Sequence, residues 1–176
     1  MHIRGPKEYP YGYTAITTMD DKVQNTLMNF GILRMKEGDV FENGDCLERA
    51  YLLVSGKVKL EFDGETKEIE RENCFDYEPW VLHIANNVNV KITALGESEW
   101  CLQSTDNEKT FPSKLYTPEE CASENRGHGT MREASTRIVR TVFDYSNAPY
   151  SNLVVGEVIG FPGKWSSYPP HNHPQP

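Results

Sequence analysis

Long hydrophobic runs are absent from this sequence of 176 residues, and basic residues are scarce. No stretch of about 18 consecutive apolar residues occurs, so the sequence predicts no membrane-spanning helix and no membrane partner. Lysine and arginine number 18 against 26 aspartates and glutamates, which gives a formal net charge of -8. Nucleic-acid binding requires clustered positive charge to neutralise phosphates, so this excess of acidic residues argues against a nucleic-acid partner.

Cysteine is also scarce, and its spacing matches no metal-binding pattern. The four cysteines lie far apart and include no CxxC pair: Cys46, Cys74, Cys101 and Cys121. The first residues contain Arg4 and Lys7 but lack the apolar segment of a secretory signal. We therefore expect four free thiols in the reducing environment of the cytoplasm.

Helical periodicity is also almost missing from the sequence. A turn or two within residues 21–27 is the one candidate helix. Short apolar runs separated by turn residues predict strands instead, and Asp63–Gly64 predicts a hairpin. The predicted strands cover residues 28–36, 49–56, 57–62, 67–71, 75–77, 81–84, 88–94, 99–104 and 153–161. Such spacing, with 13 glycines and 11 prolines, is typical of an all-β sandwich or barrel.

The composition divides the chain into three parts. Residues 1–106 contain enough predicted strands for one complete β-barrel. Residues 107–131 are rich in charged and small residues and are interpreted as an inter-domain linker. Residues 132–176 open a second apolar pattern that is too short to close a barrel. Alone, these residues would form a sheet with unpaired edge strands, which native proteins avoid. We therefore expect that this chain contains only the first part of the second domain.

Two of the five histidines, His171 and His173, are separated by a single residue. On an extended segment both side chains project to the same side, so one divalent metal can reach both imidazoles. A predicted strand and a Pro162–Gly163 turn precede the pair. The pair therefore predicts half of a metal site, and an exposed proline-rich tail that binds nothing is the alternative.

Cupin β-barrels present their first metal ligands in this same order: a strand, a Pro-Gly turn and then an HxH pair. The apolar run at residues 51–56, the Asp63–Gly64 hairpin and the stretch at 79–83 similarly resemble the core of a cupin. His83 lies where the late histidine ligand of a cupin often sits, but no HxH pair precedes it. We therefore expect a metal-free first barrel in which His83 is packed or hydrogen-bonded.

Residues 135–144, 153–158 and 161–173 closely resemble the 5-deoxy-glucuronate isomerases of myo-inositol catabolism; the last of these ranges contains the string WSSYPPHNH. They resemble the uronate ketol-isomerases of pectin breakdown more loosely. The resemblance implies an all-β bicupin whose second barrel binds zinc through an HxH pair, a glutamate and a third histidine. His171 and His173 match the first two ligands, and the other two have no counterpart here. The resemblance also implies a small sugar-acid substrate and a homo-oligomer.

The activity that this resemblance implies is the aldose-ketose conversion of 5-deoxy-glucuronate to 5-dehydro-2-deoxy-gluconate through an enediol(ate). A divalent metal can polarise the carbonyl, and a general base shuttles the proton, although no residue stands out as the base. A substrate carboxylate calls for a fixed cation, and Arg137, Arg140 and Lys164 are the candidates. The two arginines, three positions apart on a strand, should face opposite sides. Ser166 is a candidate for a sugar hydroxyl, whereas surface charge or an inter-subunit ion pair is the alternative for each cation.

Two functions of other classes remain open. A cupin module could bind or sense a sugar acid without performing chemistry. A different cupin metalloenzyme, such as an iron dioxygenase, could use the same two histidines. Iron chemistry would consume oxygen, whereas an isomerase would not, and the WSSYPPHNH string favours the isomerase.

Overall fold

The computed structural model of the chain describes residues 5–22 and 26–168. This part of the chain forms strands and two short 3-10 helices, Pro118–Glu120 and Met131–Glu133. The strands are β1 (Gly12–Thr17), β2 (Asn29–Met35), β3 (Val40–Asn43), β4 (Glu48–Phe62), β5 (Glu65–Arg71), β6 (Val81–Ile84), β7 (Val90–Ala94), β8 (Ser98–Thr105), β9 (Lys114–Tyr116), β10 (Ala122–Arg126), β11 (Arg137–Phe143) and β12 (Val155–Gly160). The predicted all-β class is therefore confirmed.

One long strand, β4, organises the larger of the two sheets. Its first half pairs with β6 and β8, and its second half pairs with β5 and β7. Between the halves, the register with β8 shifts after Leu53, and Gly56 has a φ of +111°. A Cβ on Gly56 would lie 2.5 Å from the carbonyl oxygen of Glu97, so glycine is required there. The two strands predicted at residues 49–56 and 57–62 are therefore one strand, which bends at Gly56.

Strands β1 to β9 form one hydrogen-bonded sheet that curls into a barrel. Its main path runs β1-β2-β8-β4-β6-β9, while β5 and β7 pair with β4, and β3 pairs with β7. The predicted hairpin between β4 and β5 is confirmed, because Phe62 pairs with Glu65 across Asp63–Gly64. The two turn residues have φ values of +47° and +76°, as a type I′ turn requires.

Alternate residues of β4 contribute to two different hydrophobic cores. Tyr51 and Leu53 point into the barrel and belong to its interior core. Ala50 and Leu52 point outward, into a second core. That second core is completed by residues of the three-stranded sheet β10-β11-β12 and of the loop between β11 and β12: Val142, Phe143, Ala148, Leu153 and Val155. The small sheet therefore packs against the outer face of the barrel.

Residues 107–131, interpreted from composition as a linker, contain two strands. β9 pairs with β6 and extends the barrel sheet, and β10 pairs with β11 in the small sheet. All five residues of β10 are exposed, so this strand has no apolar alternation that a sequence pattern could reveal. The boundaries between the predicted domains stay a prediction.

The strand predicted at residues 75–77 is wrong, because this segment forms turns. The side-chain oxygen of Asn73 accepts hydrogen bonds from the backbone N–H groups of Phe75 and Asp76, both at 2.9 Å. Such a side-chain bond to the following backbone groups favours a turn over an extended strand. The turn directs the carbonyl groups of residues 74–77 toward buried arginines.

Helical structure within the described residues is limited to the two 3-10 helices of three residues each. The helical turn predicted near residues 21–27 is not formed by Asp21, Lys22, Thr26 or Leu27, and residues 23–25 lie outside the described part. No helix of the described chain is long and apolar enough to cross a membrane.

Candidate functional site

The segment that leads toward the predicted metal ligands is anchored to the small sheet. After β12, the N–H of Lys164 donates to the carbonyl oxygen of Phe161 at 3.0 Å and closes the predicted turn. Gly163 within this turn has a φ of +73°, which glycine adopts without strain. The N–H of Trp165 then donates to the carbonyl oxygen of Ala134 at 2.9 Å. The predicted strand and turn are thus confirmed, and the backbone is fixed as far as Trp165.

The predicted metal ligands His171 and His173 lie outside the described residues, so their contact with a metal stays a prediction. Within residues 5–22 and 26–168, no group of three or more His, Cys, Asp or Glu side chains is arranged to hold a metal ion. Lys164 and Ser166, the predicted substrate-binding residues of the same segment, are both exposed. Both side chains are therefore accessible to a ligand.

Arg140, the third predicted substrate-binding residue, is 5% exposed and faces the barrel. Its Nη1 donates to Glu157 Oε1 at 2.8 Å, and its guanidinium also donates to three carbonyl groups of the turn at residues 74–77. These bonds connect β11 of the small sheet to the barrel. A substrate contact at Arg140 would require this arrangement to open, and that contact stays a prediction.

A second buried arginine, Arg71, donates to the same oxygen of Glu157 as Arg140 does. The distance from Arg71 Nη2 to Glu157 Oε1 is 2.5 Å, and the Arg71 side chain is 1% exposed. The carboxylate of Glu78 lies 3.6 Å from Arg140 Nε, so two positive charges face two negative charges. Buried charges are tolerated when they are paired and hydrogen-bonded in this way. Glu157 thus pairs with Arg140 inside the small sheet and with Arg71 of the barrel, so the cluster joins the two sheets, and an inter-subunit ion pair at Arg140 stays a prediction.

Arg137 has different surroundings from Arg140, although both lie on β11. It is 6% exposed, and its Nη1 donates to the carbonyl oxygen of Ser135 at 2.8 Å. Its guanidinium carbon lies 5.2 Å from the ring centroid of Tyr168, a cation–π distance. The two arginines were expected to face opposite sides of the strand, and their contacts agree. Arg137 thus helps to position the chain shortly before His171.

A buried carboxylate on the outer face of the barrel, Glu48, was not predicted from the sequence. Its Oε1 accepts from His83 Nε2 at 2.7 Å and from Ser151 Oγ at 2.5 Å. Its Oε2 accepts from Asn107 Nδ2 at 2.7 Å and from the N–H of Asn152 at 2.9 Å. Burial alone would raise the pKa of Glu48, but these four hydrogen bonds lower it to about 2. Both oxygens are occupied, so the Glu48 carboxylate does not suit a metal.

His83 points away from the barrel interior. It pairs with the outward-facing Ala50, whereas its neighbours Leu82 and Ile84 belong to the interior core. Its ring stacks on Phe143 of the small sheet, with centroids 4.2 Å apart and an interplanar angle of 13°. The expectation of a packed, hydrogen-bonded histidine is confirmed. The orientation differs from that of a cupin ligand, which would have to face the inside of the barrel.

Two of the four cysteines, Cys101 and Cys121, are buried enough to be poor nucleophiles. All four are free thiols, as expected. Burial raises the pKa of Cys101 to about 11, and burial also raises the pKa of Cys121 to about 11. Because the thiolate is the nucleophilic form, neither group suits nucleophilic catalysis near neutral pH.

Comparison with known sequences extends the similarity along almost the whole chain. The KduI/IolB family profile matches residues 6–176. The 5-deoxy-glucuronate isomerase of Bacillus subtilis (strain 168) is 30% identical over 154 residues, which cover 85% of this chain and 55% of that protein. The 5-deoxy-glucuronate isomerase of Halalkalibacterium halodurans is 29% identical over 160 residues, which cover 87% of this chain and 57% of that protein. The chain thus spans about half the length of the curated relatives it matches.

Comparison with solved structures supports the fold. An IolB-like protein from Salmonella typhimurium LT2 superimposes with a TM-score of 0.73 and 20% identity, over 84% of this chain and 56% of that chain. A cupin superfamily protein from Desulfitobacterium hafniense DCB-2 has a TM-score of 0.44 and 14% identity, over 59% of this chain and 84% of that chain. The predicted all-β fold is thus shared with the IolB-like protein, and the bicupin organisation with an incomplete second barrel stays a prediction. The profile match over residues 6–176 shows that the chain belongs to the KduI/IolB family.

Proposed function

We propose that this chain belongs to a metal-dependent aldose-ketose isomerase that converts 5-deoxy-glucuronate to 5-dehydro-2-deoxy-gluconate in myo-inositol catabolism. The observation that carries the proposal is the family match, which extends to residue 176 and so includes His171 and His173. Curated relatives bearing the name 5-deoxy-glucuronate isomerase support the choice of substrate. A cytoplasmic homo-oligomer without nucleic-acid or membrane partners is part of the same proposal.

The metal of this proposal would be held by His171 and His173. Two imidazoles on one side of an extended segment are suitable donors for zinc, and the anchored turn before them fixes where the segment starts. The buried pair of Glu48 and His83 does not fit this role, because its carboxylate is saturated and its imidazole faces the small sheet. When bound, a divalent metal supplies Lewis-acid polarisation of the sugar carbonyl.

The residues before the histidines would bind and orient the sugar acid. Lys164 is exposed, and its ammonium group can pair with the substrate carboxylate. Ser166 is also exposed and can exchange hydrogen bonds with a sugar hydroxyl. Arg137 packs against the ring of Tyr168 and so limits the movement of this segment. Arg140 acts through the fold, because its guanidinium joins β11 to carbonyl groups of the barrel turn at residues 74–77.

The activity is tested with the protein isolated from its natural source, incubated with 5-deoxy-glucuronate. We expect a ketose product to form without consumption of oxygen. Oxygen-dependent turnover would instead indicate a cupin dioxygenase. Binding of the sugar acid without conversion would indicate a binding module or sensor. Either result would overturn the isomerase proposal.

The role of Lys164 is tested by Lys164→Ala in the same protein. Loss of one charged hydrogen bond to the substrate should raise KM about 10- to 100-fold while kcat changes little. Lys67→Ala, on the exposed hairpin strand β5, is the matched control and should leave both constants unchanged. An unchanged KM in Lys164→Ala would remove this residue from the substrate site.

A further inference from the structure

Four arginines of the described chain are buried, and one of them, Arg137, has unused hydrogen-bond donors. Arg49, Arg71 and Arg140 each donate to at least four acceptors. Arg137 is 6% exposed, yet it donates to one acceptor among the described residues, the carbonyl oxygen of Ser135. A guanidinium has five N–H donors, and buried charges are normally paired. Arg137 is therefore a buried cation that can take an anionic partner.

The unused donors of Arg137 include the N–H groups of Nε and Nη2, which form one edge of the guanidinium. Nη1 donates to Ser135, so this edge has no acceptor among the described residues. Arg140 Nε is a fully buried atom without a hydrogen bond, but no nitrogen of Arg137 is in that condition. The edge of Arg137 thus retains accessible surface. Two parallel N–H groups of this kind bind both oxygens of one carboxylate.

Arg137 lies on the face of the small sheet that points away from the barrel. Its register partners are Arg126 of β10 and Gly160 of β12, and register partners project to the same face of a sheet. Arg140 projects to the opposite face, where it contacts the barrel. Gly160 has no side chain, and a Cβ there would meet no atom within 4 Å. Space for a ligand therefore exists beside Arg137.

The surroundings of Arg137 on this face supply no counter-charge. Arg126 is a second cation, and its Nε donates to Glu124 Oε2 at 2.8 Å, so the acidic residue of β10 is already paired. Val139 and Val158 form the next register pair on the same face, and both are apolar. An anion that enters beside Arg137 would therefore be attracted by two arginines and would meet apolar surface next to them.

The ring of Tyr168 connects Arg137 to the segment that leads to the predicted metal ligands. The guanidinium carbon of Arg137 lies over this ring, 5.2 Å from its centroid. Such a contact uses the flat face of the guanidinium and leaves its N–H groups, which donate in the plane, available. Tyr168 precedes His171 by three residues. The unused edge of Arg137 therefore lies close to the start of the proposed metal site.

We propose that Arg137 binds the carboxylate of the sugar acid, with Nε and Nη2 donating to its two oxygens beside Gly160. Lys164, exposed after β12, adds a second positive charge to the same carboxylate. This assignment gives the role predicted for Arg140 to Arg137, because the donors of Arg140 are held by the turn at residues 74–77. The inference rests on the proposed isomerase function, which supplies the carboxylate.

The test compares 5-deoxy-glucuronate with its carboxamide, in which an uncharged amide replaces the carboxylate. In the natural protein, kcat/KM should be higher for the acid than for the amide. Arg137→Gln should lower this preference about 10- to 100-fold, since the acid loses a charged, bidentate contact that the amide does not make. A role of Arg137 limited to holding Tyr168 would lower kcat/KM for both compounds alike and leave the preference unchanged.

The matched control is Arg126→Gln, on the same face of the sheet. Its guanidinium is already paired with Glu124, so the preference for the acid should remain that of the natural protein. A second pair of variants decides the question if Arg137→Gln does not fold. Gly160→Glu places a carboxylate beside Arg137, which should lower the preference about 10-fold more than Gly160→Gln, a change of the same size without charge.

The proposal is overturned if Arg137→Gln keeps the preference of the natural protein, or if Arg126→Gln loses as much of it. Where Arg137→Gln does not fold, equal effects of Gly160→Glu and Gly160→Gln overturn it. A natural protein that converts neither compound would refute the proposed function together with this inference. Conversion of 5-deoxy-glucuronate with an unaltered preference in Arg137→Gln would refute this inference alone.

Discussion

His83 and Glu48 form a buried hydrogen bond of 2.7 Å on the outside of the barrel, with both side chains fully buried. The pair lies between the barrel and the loop that joins β11 to β12, because Ser151 and Asn152 of that loop also donate to Glu48. The position of this pair between the two sheets explains why His83 is a structural residue, although its place in the sequence resembles that of a cupin metal ligand. The carboxylate connects the two sheets and has no free oxygen for a metal.

Acidification is expected to destabilise the protein through Glu48. Its pKa is lowered from the ordinary 4.5 to about 2, so its stabilising contribution is complete above about 4.5 and is lost as the pH falls toward 2. The shift corresponds to about 3 kcal/mol of unfolding free energy. Urea unfolding between neutral pH and about pH 2 measures this loss. Glu48→Gln should be less stable at neutral pH and should show a weaker pH dependence. Glu68→Gln, at an exposed position, should behave as the natural protein does.

Removal of the Glu157 carboxylate should destabilise the contact between the barrel and the small sheet. Glu157→Ala leaves Arg71 and Arg140 buried without their shared partner, which should lower the unfolding free energy by about 3–5 kcal/mol. Chemical denaturation gives this value. Glu65→Ala removes an exposed ion pair with Lys67 and should cost less than about 1 kcal/mol. Equal effects of the two substitutions would show that the buried cluster is unimportant for stability.

Gly56 is expected to tolerate no side chain. Gly56→Ala requires an alanine at a φ of +111° with its Cβ 2.5 Å from the carbonyl oxygen of Glu97. We expect a loss of about 2–3 kcal/mol in unfolding free energy. Gly96→Ala is the matched control, because a Cβ there meets nothing within 4 Å. A Gly56→Ala variant as stable as Gly96→Ala would show that β4 does not require this bend.

The thiols should react with iodoacetamide in an order set by burial. Cys46 is exposed and should be labelled first in the folded protein. Cys101 and Cys121, with pKa values raised to about 11, should have thiolate fractions of about one in a thousand near pH 8. Mass spectrometry of the labelled peptides at successive times measures the order. Labelling of Cys101 at the rate of Cys46 in the folded state would contradict the described burial.

The strands that could be predicted from the sequence are those with an apolar face. β2, β4, β6 and β8 each contain several buried apolar residues, so their apolar residues reveal them. β3 and β10 carry few buried side chains and exist because a neighbouring strand pairs with them. Their formation depends on backbone pairing, which residue types alone do not encode.

The candidate site was predictable only where it depends on local spacing. The HxH pair and the turn before it are adjacent in sequence, so both can be recognised from residue types. The direction in which Arg140 points from β11 depends on the packing of the small sheet. Its hydrogen-bond partners at residues 74–77 lie more than 60 positions away in the sequence. Glu48 similarly meets His83 across 35 positions and Ser151 across 103. Contacts over such separations follow from the fold and from no local motif.

The most direct test of the proposed function measures bound zinc and isomerase activity together in His171→Ala and His173→Ala variants of the natural protein. Both variants should lose zinc and the conversion of 5-deoxy-glucuronate while keeping the fold of the parent, as circular dichroism would show. His128→Ala, whose side chain is 74% exposed, should keep zinc and activity. Full zinc occupancy in both the His171→Ala and His173→Ala variants would contradict the assignment of the metal site.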